Sequence, residues 1–295
     1  MKKMLKKVIV HGGNAHLDDF VTCAEIMAYQ CITLPATAAD VAAALCIERR
    51  DPTAAELADP DTIVADVGGE LSVERSNFDH HQLPRGSRDC AMTLFARNAE
   101  LPGHKGTLHD ALVRLYPWYE TRAVLDSNGP FKAAAEKGVE WGVVQAFMGP
   151  FEDMVLDSFI NAAPEQRPQV VLPLVLDMLG KLEAEERVNE ALVRYTTSQG
   201  VDVVDFTKAD PADVDTVSDS ITAAMANGVA VFRDKRGPGF GILRIKDDPR
   251  VDLSRTSGMP CMGFIHSNGF YATTREPVER ATMADILGTA FVPQA

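Results

Sequence analysis

Histidines and aspartates recur together at three places in the first third of the chain. They are His11, His16 and Asp18, then Asp66, and then Asp79, His80 and His81. Imidazole mixed with carboxylate suits divalent Mn, Fe, Co or Zn better than calcium. The five cysteines form no CxxC pair, which argues against a structural zinc site. The set therefore predicts a centre for divalent metal ions.

The elements around these residues explain how they can meet. Residues 7–10 and 63–65 are short, buried, strand-like runs, and each ends just before one of the groups. A glycine turn at Gly12 and Gly13 and a helix from Asp18 to Gln30, capped by Asp18 or Asp19, follow the first run. Ligand-binding loops emerge at the carboxyl ends of parallel strands. We therefore expect the three groups to converge at one sheet edge.

Each residue also has a purely structural interpretation. Asp18 alone is more often a helix cap than a ligand, and Asp66 alone can simply end a strand. A single loop histidine, such as His11 or His16, is more often only hydrogen-bonded. The joint pattern favours metal, because crowded carboxylates repel one another and a dication removes that repulsion.

The rest of the chain predicts an α/β protein of two domains. Alternating strands and helices indicate a mainly parallel sheet with helices on both faces. Residues 90–199 read as helical, with the longest helix over residues 170–197. After Gly200 the pattern changes to a smaller α/β domain, with a hairpin turn at Asn268-Gly269. We place the domains at 1–199 and 200–295.

Composition limits the partners. Lys and Arg total 29 against 42 Asp and Glu, a net charge of −13, which argues against duplex nucleic acid and anionic membranes as partners. No apolar stretch approaches the roughly 18 residues of a membrane span, and none suits a signal peptide. An odd number of cysteines without such a signal indicates reduced thiols. These features predict a cytoplasmic protein.

Three motifs carry a resemblance to a known superfamily. The segments His11-Gly-Gly-Asn-Ala-His16-Leu-Asp18, Asp66-Val-Gly-Gly-Glu70 and Asp79-His80-His81-Gln82 resemble those of the DHH phosphoesterases. The nearest branch is the Myg-one family, the metal-dependent protein hydrolase-like proteins associated with 3′-to-5′ RNA exonuclease activity. Phe264-Ile-His266-Ser-Asn-Gly269-Phe270 is similar to a C-terminal segment of that branch.

The resemblance implies two metal sites that share one carboxylate. One ion would bind His11, His16 and Asp66. The other would bind Asp18, Asp66, His80 and a further aspartate, for which Asp126 is the candidate after a one-residue slip in Leu125-Asp126-Ser127-Asn128-Gly129. Asp79 would orient His80 or support the metal shell.

The resemblance also implies where the substrate binds. His81 would face the substrate phosphate, so Asp79, His80 and His81 are the predicted catalytic residues. Because guanidinium grips phosphate through two donors, candidate substrate-binding residues are mainly arginines. They are His81, Arg85, Arg88, Arg255, His266 and Arg275, with Arg280 as a further candidate.

The resulting hypothesis is a two-metal phosphoesterase, with Mn²⁺ as the first choice of ion and Mg²⁺ as the second. Its substrate would be a short oligonucleotide or a nucleotide phosphodiester, cleaved by a 3′-to-5′ exonuclease in the most specific version. A small-molecule phosphatase or pyrophosphatase is the first alternative, and a non-catalytic binding module of the same fold is the second. The sequence is compatible with a homodimer but does not determine the oligomeric state.

Overall fold

The computed structural model describes residues 4–103, 106–146 and 150–293. They form two compact units that divide between Gly180 and Lys181, and each unit has its own sheet. The division falls inside a helix, somewhat before residue 200, where the sequence predicts the change of domain. The predicted ranges 1–199 and 200–295 themselves stay a prediction.

The first unit combines short strands with a helical second half. Its strands are β1 (Lys7–Val10), β2 (Cys46–Arg49), β3 (Thr62–Ala65), β4 (Leu71–Ser72) and β5 (Asn77–Phe78). Its helices are α1 (Leu17–Thr33), α2 (Ala38–Ala44), α3 (Ala54–Leu57), α4 (Ala91–Asn98), α5 (Leu108–Leu115), α6 (Tyr119–Asn128), α7 (Pro130–Lys137), α8 (Trp141–Ala146), α9 (Pro150–Asn161) and the first part of α10 (Arg167–Ala191).

The strand order β2-β1-β3-β5-β4 places the carboxyl ends of β1 and β3 side by side. All neighbouring pairs are parallel except β4 with β5. The chain moves one way from β1 to β2 and then crosses back to β3. Right-handed crossovers therefore put α1 and α2 on one face and α3 on the other. The predicted α/β fold, with a mainly parallel sheet and helices on both faces, is confirmed.

The second unit is a smaller α/β layer. After α10 it contains β6 (Val193–Thr196), β7 (Asp202–Asp205), α11 (Pro211–Ala223), β8 (Gly228–Arg233), β9 (Phe240–Ile245), β10 (Met262–Ile265), β11 (Tyr271–Thr274) and α12 (Arg280–Ala290). Its sheet order is β10-β11-β9-β8-β7-β6, and only β7 and β8 are parallel. Its core joins the sheet to α12 through apolar side chains such as Val229, Ile242 and Ile286.

One predicted helix is too long. The sequence favours helix over residues 170–197, but α10 ends at Ala191 and residues 193–196 form β6. The apolar side chains of Val193 and Tyr195 alternate with exposed ones, and the strand pairs antiparallel with β7. Pairing with a strand that comes later in the chain thus overrides the local helical spacing. In the described ranges no helix is both long and apolar enough to cross a membrane.

Helix α1 carries a buried acid away from the predicted metal ligands. Glu25 is fully buried, and Tyr119 on α6 has its hydroxyl oxygen 2.5 Å from Glu25 Oε1 and 3.2 Å from the Met92 carbonyl oxygen. One hydroxyl hydrogen cannot serve two acceptors. Both contacts are satisfied when protonated Glu25 donates to Tyr119 and Tyr119 donates to Met92. Burial also raises the pKa of Glu25 well above its usual range.

This arrangement predicts how stability varies with pH. An acid whose pKa is higher in the folded than in the unfolded state stabilises the fold at low pH, and this stabilisation is lost as the pH rises through the folded-state pKa. We expect Glu25→Gln, which stays neutral, to raise the free energy of unfolding at pH 8 by on the order of 1 kcal/mol and to change it less at pH 5. Urea unfolding of both proteins in EDTA, from pH 5 to 8, measures this difference.

Exposed Glu120 on the same helix as Tyr119 provides the matched control. Glu120→Gln should leave the pH dependence of stability unchanged. A Glu25→Gln variant that is destabilised equally at every pH would contradict a neutral Glu25.

Candidate metal centre

The first site segment joins β1 to α1. His16, rather than Asp18 or Asp19, is the N-cap of α1, so the predicted cap was wrong. The Asp19 carboxylate accepts the backbone N–H groups of both His11 and His16, each at 3.2 Å. These two bonds close the loop and bring the two imidazole rings to 5.8 Å, nearly parallel. The preceding residue, Asp18, is buried, and neither of its carboxyl oxygens has a hydrogen-bond partner.

The second segment begins at Asp66, directly after β3. Asp66 has a left-handed backbone with φ of 59°, and its side chain is almost fully buried. Aspartate tolerates this conformation better than most residues. At Gly68, φ is 101° and a Cβ would lie 3.0 Å from Leu57 and 3.2 Å from Pro52. A side chain there would be strained by the positive φ and crowded by Leu57 and Pro52, so glycine suits the turn that follows Asp66.

The third segment follows β5. Asp79 accepts hydrogen bonds from the backbone N–H of Gly69 at 2.6 Å and of His81 at 2.9 Å, and its Oδ1 lies 2.7 Å from His81 Nδ1. Burial acts to raise the pKa of Asp79, but these hydrogen bonds outweigh it and the pKa is lowered. Asp79 thus orients His81, whereas the resemblance suggested that it orients His80.

The side chain of His80 faces two carboxylates, those of Asp66 and Asp126. Its Nε2 lies 2.9 Å from Asp66 Oδ1 and 3.4 Å from Asp126 Oδ2. Burial acts to lower the pKa of His80, but the two carboxylates outweigh it and raise the pKa. The contact with Asp66 is short but poorly aligned, because Asp66 Oδ1 still has no hydrogen-bond donor of ordinary geometry.

Asp126 reaches the site from the last turn of α6. Its Oδ1 lies 3.8 Å from His16 Nδ1, and its Oδ2 faces His80. The end of α6 is fixed by Asn128, whose side chain donates to the Ser87 carbonyl. The segment in which the sequence required a one-residue slip therefore does deliver a carboxylate to the other groups.

These side chains form one concentrated acid–histidine cluster. Its members are His11, His16, Asp18, Asp19, Asp66, His80, His81 and Asp126. Burial, followed by neighbouring carboxylates, raises the pKa values of Asp18 and Asp19 well above their usual range. Burial also raises the pKa of Asp126, although His80 opposes it. Such a cluster needs positive charge to hold all its carboxylates ionised.

The unpartnered atoms in the cluster fit a cation. Both carboxylate oxygens of Asp18, one each of Asp66 and Asp126, and His11 Nδ1 are buried and have no hydrogen-bond partner. Unpaired buried acceptors are costly, whereas they are the ordinary ligands of a dication. The donor set therefore suits divalent metal.

The ligand atoms fall into three close groups. Within each group they lie within 4.8 Å of one another: Asp66, His80 and His81; His11, Asp19 and Asp66; and His16, Asp18 and Asp126. Asp66 belongs to two groups, as a bridging ligand would. The grouping differs from the implied one, since His16 lies with Asp18 and Asp126, and His81 joins Asp66 and His80.

Asp19 is the member that sequence reasoning missed as a site residue. It was considered only as a cap, although its position three residues after His16 is a signal for a carboxylate that bonds back to the N-cap backbone. Its burial among acids becomes visible only in three dimensions.

The predicted substrate-binding residues are mostly exposed. In the first unit the ring of His81 is 59% exposed, Arg85 is exposed, and Arg88 pairs with Glu136 at 3.1 Å. These three lie in the segment that follows β5. Exposure leaves them accessible to a ligand, and their role in binding stays a prediction.

In the second unit the candidates lie before, between and after the last two strands, β10 and β11. Arg255 donates to the Phe291 carbonyl, and Arg275 is exposed. Arg280 lies over the Tyr195 ring at 4.6 Å. His266 begins the predicted hairpin turn, its Nδ1 accepts the Asn268 N–H, and its ring lies 4.2 Å from that of Phe270. Their roles also stay predictions.

Comparison with known proteins adds little. No family model and no curated protein matches the chain. The chain is similar over 97% of its length to a pGpG-specific phosphodiesterase, PggH, from Vibrio cholerae, with 12% identity and a TM-score of 0.29, and the match covers 99% of PggH. It is also similar over 97% of its length to a DHH domain described as a member of a family of ribosomal proteins, with 11% identity and a TM-score of 0.31, and the match covers 85% of that domain. Scores this low carry no argument, so function must be inferred from the side chains.

The crowding of the carboxylates predicts that removing one of them stabilises the metal-free protein. Asp18→Asn removes a buried carboxyl group that must either ionise beside other acids or take up a proton on folding. We therefore expect the metal-free protein to unfold about 2–4 °C higher, the shift that roughly 1 kcal/mol produces in a protein of this size. The same change removes a ligand, so the variant should gain less thermal stability from Mn²⁺ than the wild type. Calorimetry in EDTA and in Mn²⁺ measures both effects.

Exposed Asp51 offers a control in the same unit. Asp51→Asn should change neither the metal-free midpoint nor the gain from Mn²⁺. A metal-free Asp18→Asn protein that is less stable than the wild type would argue that Asp18 serves the fold rather than a cation.

Proposed function

We propose that the protein is a two-metal phosphoesterase that hydrolyses a phosphodiester bond in a short oligonucleotide or a nucleotide. The observation that carries the proposal is the convergence of three buried aspartates and one partly buried aspartate on four histidines, with unpartnered oxygens on three of the four acids. Neutral or apolar side chains would satisfy the fold better at these positions. Metal-dependent chemistry explains why acids are there instead.

The residues of the cluster can be assigned to the two proposed metal ions by their positions. Asp66 would contact both ions. His11 with Asp19 would complete one ligand set and His80 the other, and His16, Asp18 and Asp126 form a further group of candidate ligands. Two divalent ions held there would supply the Lewis acidity that activates water and offsets the charge on a phosphate. The carboxylates around them supply the ligand charge that fixes the ions in place.

His81 is suited to proton transfer. Asp79 accepts from its Nδ1, which holds that nitrogen as a donor and leaves Nε2 free. With its side chain 59% exposed, His81 can present Nε2 to a phosphate oxygen and exchange a proton with it.

The charge of the chain favours a small substrate. With a net charge of −13, a long nucleic acid would be repelled except where cations are gathered locally. The motif resemblance supports a more specific proposal, in which the enzyme removes nucleotides from RNA 3′ ends with Mn²⁺. A cytoplasmic location and a homodimer stay predictions.

Removing the shared carboxylate should abolish activity. We expect Asp66→Asn to reduce Mn²⁺-dependent hydrolysis of short RNA to the background rate, with the circular dichroism spectrum unchanged, because asparagine tolerates the same backbone conformation. The measurement is release of mononucleotide together with metal content by mass spectrometry. Pyrophosphate serves as a parallel substrate, and hydrolysis of pyrophosphate without cleavage of RNA would select the alternative phosphatase function.

His81→Ala should lower the catalytic rate without changing the metal content. We expect kcat to fall by about 10²-fold, the contribution of one positioned acid or base, while the metal content stays that of the wild type. Half-buried His109 lies outside the acid–histidine cluster, and His109→Ala should leave kcat unchanged. Loss of bound metal in His81→Ala would instead show that His81 is a ligand, as its closeness to Asp66 and His80 allows.

A further inference from the structure

A second charged feature lies beside the acid–histidine cluster. Arg49 is the last residue of β2 and pairs in register with Val10, the residue before His11. Its Nη2 donates to the Gly13 carbonyl at 2.8 Å, inside the loop between His11 and His16. The guanidinium therefore lies directly next to the predicted metal ligands.

Arg167, at the start of α10, is its neighbour. It donates to the carbonyls of Ile47 at 2.8 Å, Phe159 at 3.0 Å and Ile160 at 3.4 Å. Ile47 is two residues before Arg49 on the same strand, and the Phe159 ring lies 5.8 Å from the Arg49 guanidinium. The two side chains thus share the same surroundings. Burial, and then the charge of Arg49, lowers the pKa of Arg167.

Neither cation has a carboxylate partner within the described ranges of the chain. Both bond only to neutral carbonyls, and Arg49 Nε is buried without any partner. Asp19 and Glu165 influence them only from beyond ion-pair distance. By contrast Arg50, the next residue along, is neutralised by Glu48 and Glu56.

Two adjacent guanidiniums without a counter-ion repel each other and leave N–H donors unused. An anion removes both penalties. A phosphate monoester carries about −1.5 to −2 charge at pH 7 and accepts bidentate hydrogen bonds from arginine, so it matches a pair of such cations, whereas a diester carries only one charge.

We propose that Arg49 and Arg167 form an anion subsite that holds a terminal, non-reacting phosphate monoester of the substrate. The proposal rests on the proposed phosphodiesterase function for the identity of its ligand. It assigns the enzyme a preference for short oligonucleotides that end in a phosphate, with that phosphate on the arginines and the scissile diester at the acid–histidine cluster.

The kinetic test compares one dinucleotide with and without a terminal 5′-phosphate. For the wild type we expect kcat/KM to be roughly tenfold higher with the phosphate, the gain typical of one charge-assisted contact. In Arg49→Gln this ratio should fall to about one. Arg50→Gln, at the next residue along the chain but already paired with carboxylates, should keep the wild-type ratio. A ratio that Arg49→Gln leaves unchanged overturns the subsite.

A binding test separates this proposal from the proposed function. In EDTA the acidic cluster repels anions, so broadening of the ³¹P resonance of inorganic phosphate by the metal-free protein reports on the arginines. We expect broadening by the wild type and by Arg50→Gln, and its loss in Arg49→Gln. Such loss supports the anion subsite even where no diester is hydrolysed. Equal broadening by all three proteins overturns the subsite even where hydrolysis is observed.

Discussion

Mutual repulsion among buried carboxylates is the constraint on which the first unit depends. Asp18 and Asp19 come from the first turn of α1, Asp66 from the end of β3, and Asp126 from the last turn of α6. Like charges held this close in a poorly solvated place cannot all ionise without compensation. The loop bonds of Asp19, the turn at Asp66 and the anchored end of α6 nevertheless hold the carboxylates together. A cation held by these carboxylates would offset their mutual repulsion.

Acidic and basic side chains occupy separate places around this centre. Acids are concentrated at the carboxyl ends of β1 and β3, while Arg49 and Arg167 stand next to them without carboxylate partners in the described part of the unit. Elsewhere, as at Arg50, guanidiniums are neutralised by nearby acids. A bound dication would make the electrostatic potential of the acidic region positive enough to attract phosphate. The positive potential of the two arginines would then continue into that region. An anionic ligand with two phosphates could then be oriented at both ends.

The sequence predicts the parts of this site that follow from local pattern. Buried runs that end just before His11 and Asp66 imply strand ends, and parallel strands bring such ends together. It does not predict parts that depend on long-range packing. Pairing of Asp79 with His81, the approach of α6 to the end of β3, and the strand that ends the helical region at Val193 all depend on contacts with distant segments. Asp126 was found only because a motif resemblance pointed to it.

Asp66 combines a left-handed backbone with a buried acidic side chain. Its left-handed backbone costs on the order of 1 kcal/mol for a residue with a Cβ, and its carboxylate is buried beside other acids. Asparagine would adopt the same backbone at least as well and would carry no charge. Neither local conformation nor packing therefore explains a carboxylate at this position. Its membership of two groups of candidate ligand atoms does, because a carboxylate there could contact a cation in either group.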